Sequence, residues 1–146
     1  MIDLKAIRHV GIVVIDLKIS LNFWTKIMGF TIYKELNESG IHVDSITGIK
    51  NSKVQTIKLI GPKNYMIELL DFKKNDSRKE VTKPYAYGIT HIAVEVDNIE
   101  NIYIELMENG IEFNSKPNLT PDGFAKMNYF KAPDNVYIEL VEIMKQ

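Results

Sequence analysis

An α+β fold built from two βαβββ modules is predicted by three features of the 146-residue sequence. Two β-branched runs of the same design open its halves, and each is followed by a stretch of helical periodicity. Each half then closes on two strands joined by a short turn that contains Pro and Asn.

The first module is expected over residues 5–72. It opens with the strand-type run at 8–15 (RHVGIVVI), after which Asp16 stands where a helix N-cap belongs. Leu17, Leu21, Trp24 and Met28 recur at helical spacing, and Gly29 suits the left-handed position just past a helix end. A strand returns at 30–33, and a long loop is expected over 37–52. Strands at 54–60 and 65–70 then flank the turn at 61–64 (GPKN).

The second module, expected over residues 88–146, repeats this order. Its first strand is 90–96 (THIAVEV), and Asp97 is the expected cap, with Asp97 and Glu100 at capping-box spacing. Ile99, Ile102 and Leu106 mark the helix, Gly110 its end, and 111–113 the returning strand. Strands 124–131 and 136–141 flank the turn at 132–135 (APDN). Asp97 to Gly110 is the same span as Asp16 to Gly29, 13 positions. A polar linker over residues 73–87 joins the modules.

Alternation along a strand sends neighbouring side chains to opposite faces of the sheet. In the last strand of each module Ile67 and Leu69, or Ile138 and Leu140, share the face that packs under the helix. Glu68 and Glu139 point the other way, among Met66 and Leu70 or Tyr137 and Val141. A carboxylate in such company needs a compensating partner, because an unpaired buried charge is costly. His9 and His91 have the matching parity on the first strands.

A single strand histidine is ordinarily a hydrogen-bonded core residue, and a single strand glutamate is ordinarily solvated. The same pair at matching places in both modules is different, since two of only three histidines take part. Curved mixed sheets meeting around a cleft, with helices outside, would gather His9, Glu68, His91 and Glu139 at one divalent ion. Two imidazoles and two carboxylates suit Zn, Ni, Co, Mn or Fe(II). His42, in the long loop near Asp44, reads as a solvated residue. Glu95 is a candidate partner behind the ligands, and Tyr129 and Tyr137 are candidate pocket residues. Trp24 reads as core.

Composition removes other classes of function. Basic and acidic side chains nearly balance, 18 against 19, and no basic stripe alternates with aromatics, so no nucleic-acid partner is expected. The absence of cysteine excludes disulfides, thiolate sites and a cysteine nucleophile. No early apolar run is long enough for a leader or a membrane span, and a cytoplasmic protein is expected.

The stretches RHVGIVVIDL, FWTKIMGF, NYMIELLDF, GITHIAVEVDNI and APDNVYIELVEI resemble the vicinal oxygen chelate superfamily. That superfamily includes glyoxalase I, methylmalonyl-CoA epimerase, extradiol dioxygenases and the fosfomycin and bleomycin resistance proteins. The resemblance implies one divalent metal ion on His9, Glu68, His91 and Glu139, a small-molecule substrate and a homodimer. It also implies an isomerase or lyase that moves a proton next to a carbonyl through a metal-stabilised enediolate or enolate, with Glu139 or Glu68 as base. An Fe(II) dioxygenase of extradiol type is the alternative, although a second carboxylate would crowd its two-histidine, one-carboxylate triad. A binding or antibiotic-resistance protein is the other. Glutathione-dependent members carry an arginine soon after the first histidine and an asparagine soon after the first glutamate. Val13, Val14, Asp71 and Phe72 occupy those neighbourhoods here, which argues against glutathione.

Overall fold

A computed structural model describes residues 8–73 and 91–144. From residue 74 onward the expected linker lies outside them, as do residues 5–7 of the first expected module and residues 88–90 and 145–146 of the second. Contacts divide the chain into Met1–Arg78 and Lys79–Gln146, and each unit is built on its own four-stranded mixed sheet.

In the first unit the strands are β1 (Val10–Val13), β2 (Thr31–Ser39), β3 (Lys53–Ile60) and β4 (Met66–Phe72), in the spatial order β1-β4-β3-β2. β1 runs parallel to β4, and the other neighbours are antiparallel. The parallel pair needs a crossover, supplied by α1 (Leu17–Asn22) and a wider π-helical turn over Phe23–Ile27. Asp16 caps α1 as its sequence position predicts, accepting from the Lys18 and Ile19 amides at 2.9 and 3.1 Å. Gly29 leaves the helix at φ 73°, where a residue with a Cβ would be strained. Ile12, Val14, Ile57, Leu59, Ile67 and Leu69 are buried, as are Phe23 and Trp24.

The second unit repeats the plan with β5 (His91–Glu95), β6 (Asn118–Leu119), β7 (Ala125–Lys131) and β8 (Tyr137–Ile143), ordered β5-β8-β7-β6. Its crossover helix is α3 (Ile99–Glu108), which ends before Gly110 at φ 82°. Ile99, Leu106, Phe130, Ile138 and Leu140 form the buried set. Both hairpins turn through two consecutive left-handed residues, Lys63 and Asn64 in one and Asp134 and Asn135 in the other. Gly61 is required for packing, because a Cβ there would come within 2.5 Å of the Phe30 ring.

Three local expectations are corrected. The α3 cap is Asn98, whose side chain accepts from the Asn101 amide at 3.0 Å, in place of Asp97. The Ile99 amide is taken by Glu142 of β8 at 2.9 Å, a long-range partner that local spacing cannot reveal. The strand expected at 111–113 is only an isolated bridge from Phe113 to Phe130, and β6 forms later. The long loop expected over 37–52 is partly regular: β2 runs on to Ser39 and α2 (Ile41–Thr47) follows. Asp44 orders the end of that segment by accepting from the Asn51 and Ser52 amides at 2.7 and 2.8 Å.

One buried side chain is out of keeping with its surroundings. Asn128 is 2% exposed and lies opposite Leu140, at the position that Ile57 fills in the first sheet. Its amide nitrogen and oxygen have no hydrogen-bond partner among the described residues. Burying an unpaired amide costs about 1–3 kcal/mol, so Asn128→Leu is expected to stabilise the protein by that order. Urea unfolding checks it, and an unchanged or lower midpoint contradicts it.

Candidate metal centre

The parity expected from sequence is present in both sheets. Ile67 and Leu69, like Ile138 and Leu140, are buried on the helix side, which sends Glu68 and Glu139 to the opposite face. Gly11 lies directly across from Glu68, and Ala93 directly across from Glu139. These are small residues, so on the β1 and β5 sides nothing bulky stands directly across from either carboxylate. The histidine two positions earlier, just before β1 in one unit and first in β5 in the other, reaches diagonally to the acid.

The resulting pairs are nearly identical. His9 Nε2 lies 3.4 Å from Glu68 Oε2, and His91 Nε2 lies 3.2 Å from Glu139 Oε2. The carboxylates are largely covered, with side-chain exposures of 13% and 11%, and the imidazoles remain open at 33% and 40%. An imidazole nitrogen lone pair facing a carboxylate oxygen at this range repels it unless a proton or a metal ion lies between them. Two ligands bonded to one divalent ion at about 2.1 Å sit about 3.0 Å apart at a right angle and about 3.4 Å apart at the tetrahedral angle. The observed separations match that span, and the donor types suit a borderline divalent ion. Each pair therefore fits half of a metal site. Among the described residues of each unit no third His, Asp or Glu completes a set around the pair.

Each glutamate has a second partner that sequence reading missed. Lys58 stands directly across the hairpin from Glu68, with its Nζ 3.1 Å from Oε1. The two carboxylate oxygens are thus divided, one towards His9 and the other towards an ammonium. Tyr129 has the matching position across from Glu139. Its hydroxyl is pushed above the usual phenol range, first by burial and then by its hydrogen bond to Glu139 and the charge there. Its ring also packs edge-on against His91, with centroids 5.4 Å apart. Tyr129 was foreseen only as a possible pocket residue, and Lys58 not at all. The signal was hairpin symmetry, since Lys58 precedes Lys63 by as many residues as Glu68 follows it, and Tyr129 and Glu139 flank Asp134 in the same way.

The remaining candidates differ in where they lie. Glu95 is exposed at the end of β5, and His42 is exposed on α2. Tyr137 lies opposite His91 in the β5–β8 register, so it shares the face of the second pair. Trp24 is core. No helix among the described residues is long and apolar enough to cross a membrane.

The model of the Glyoxalase/Bleomycin resistance protein/Dioxygenase superfamily matches residues 6–140. YaeR of Escherichia coli is 27% identical over 142 residues, spanning 97% of this chain and 99% of that protein. YwkD of Bacillus subtilis is 30% identical over 140 residues, spanning 95% and 98%. A glyoxalase family protein from Bacillus cereus superposes with a TM-score of 0.84 at 20% identity, covering 98% of this chain and 97% of the other.

Proposed function

Because the chain belongs to the Glyoxalase/Bleomycin resistance protein/Dioxygenase superfamily, we propose that it is a divalent-metal-dependent isomerase or lyase transferring a proton next to a carbonyl. The ion would be held by His9, Glu68, His91 and Glu139. The observation that carries this reading is the repeated histidine–glutamate pair at 3.4 and 3.2 Å. A protein that only sequesters a ligand has no need of two such pairs.

A bound ion would act as a Lewis acid, polarising a carbonyl and acidifying the neighbouring C–H. The chain supplies the rest. The imidazoles of His9 and His91 are fixed by the ends of β1 and β5. Gly11 and Ala93 leave room beside the acids. Lys58 holds Glu68 Oε1 in an ion pair, so proton removal and return falls to Glu139, with Glu68 the alternative. Tyr129 stands directly across the hairpin from Glu139, and burial together with the charge of Glu139 raises the tyrosine's pKa. Members of the superfamily bind small molecules and often form dimers, and we extend both properties to this chain, in the cytoplasm.

Metal analysis of the purified protein, followed by incubation with a 2-oxo-aldehyde hemithioacetal or a 2-substituted acyl thioester in deuterated water, tests the proposal. The expected result is stoichiometric divalent metal and deuterium at the carbon next to the carbonyl. Protein that takes up no divalent ion, or metal-loaded protein that leaves every such proton in place, overturns it.

A further inference from the structure

We propose that Lys34 and Lys58 form an oxyanion-binding place beside the His9–Glu68 pair, so that the substrate carries a carboxylate or phosphate group. As a substrate subsite this rests on the metal-dependent reading above; as an anion site it does not.

The observations begin with register. Ile32 pairs with Leu59, and the next pair is Lys34 with Lys58, so Tyr33 is an extra residue bulged out of β2. Without the bulge Tyr33 would oppose Lys58 and Lys34 would turn to the helix side. The bulge instead puts Lys34 on the face that carries Lys58, Glu68 and His9. Bulges recur next to functional sites because they re-aim a side chain.

Like charges directly opposite one another on an antiparallel pair are unfavourable. Lys58 is relieved in part by Glu68. An ammonium has three N–H donors, and Glu68 Oε1 accepts one, leaving others for a second oxyanion. No ion pair to Lys34 exists among the described residues. The other acid on this face, Glu38, accepts from the Thr56 hydroxyl at 2.8 Å. In the second sheet Tyr129 replaces Lys58, the Asn114 amide donates to the Tyr129 carbonyl at 2.9 Å, and Lys131, on the same face, stands across from Tyr137 and not from a second lysine. Among the described strand pairs, two lysines directly opposite one another occur in the first sheet alone. An oxyanion set between the two ammonium groups would remove their repulsion and place the rest of its molecule next to His9 and Glu68.

The test titrates the metal-free full chain with inorganic phosphate and, separately, with acetate, at constant ionic strength in chloride. Amide shifts are followed by nitrogen–proton correlation NMR. Saturable shifts are expected at Lys34, Lys58 and their strand neighbours. Lys34→Met and Lys58→Met should each weaken binding about fivefold, as expected for the loss of about 1 kcal/mol. Lys34→Arg and Lys58→Arg should restore it. Glu68→Gln should tighten it, because Lys58 is then released to the anion. A response to phosphate only makes the substrate a phosphate ester, and a response to acetate only makes it a carboxylic acid. No saturable shift with either anion overturns the proposal, as do shifts unchanged in both Met variants. Metal content of wild-type protein and the Met variants is measured alongside. Anion binding without metal uptake would sink the catalytic reading alone, and metal uptake without anion binding would sink this one alone.

Discussion

Replacing Glu139 by glutamine is expected to lower solvent exchange of the substrate's α-proton by about 10²–10⁴-fold, the usual contribution of a positioned general base. The amide keeps the size and an oxygen of the acid but cannot take up a proton. Its partners, His91 at 3.2 Å and the Tyr129 hydroxyl, should remain in place. His91→Ala removes a ligand and leaves a gap beside the Tyr129 ring. Since loss even of a group behind a ligand weakens metal binding by 10- to 100-fold, loss of the ligand itself should weaken it by about 100-fold or more. Metal titration and deuterium incorporation measured on both variants separate the two roles. A Glu139→Gln protein that exchanges protons at the wild-type rate would move the base to Glu68. A His91→Ala protein with undiminished metal affinity would remove the second pair from the centre altogether.

The largest expected loss of stability comes from Trp24→Ala, at about 3–5 kcal/mol. Trp24 is 2% exposed and meets Phe23 and Phe30 edge-on at centroid distances of 5.2 and 5.3 Å. Its carbonyl also accepts from the Phe30 amide at 2.9 Å, in the turn that starts β2. Phe30 in turn occupies the space a side chain at Gly61 would need. Removing the indole leaves a cavity that this crowded corner cannot fill without moving the hairpin between β3 and β4, and β4 carries Glu68. Denaturant unfolding gives the magnitude, and a midpoint close to wild type would show that Trp24 is not the anchor its burial implies.

Much of the architecture was readable in advance because its signals are local. Asp16 caps the first helix, Gly29 and Gly110 take left-handed backbone, and both Pro-containing turns join antiparallel strands. The misreadings share a cause. Asp97 looked like a cap by spacing, but Asn98 has the geometry and Glu142 reaches the helix start from 43 residues away. The 111–113 segment has strand-forming residues, yet only Phe113 finds a partner. The 37–52 segment looked like loop, but its helix is followed by a turn that Asp44 ties down through two backbone amides.

The sequence by itself determined the repeated element order and the strand faces, and it singled out His9, Glu68, His91 and Glu139 as candidates. It could do so because side-chain parity has a period of two and the motif occurs twice. Only tertiary structure decided who stands beside each glutamate. Lys58 and Tyr129 meet the acids through hairpin register, and a single bulged residue in β2 turns Lys34 to the same face. A bulge shifts every later side chain to the other side of the sheet, and it depends on which strand pairs with which, information that no local window of sequence contains.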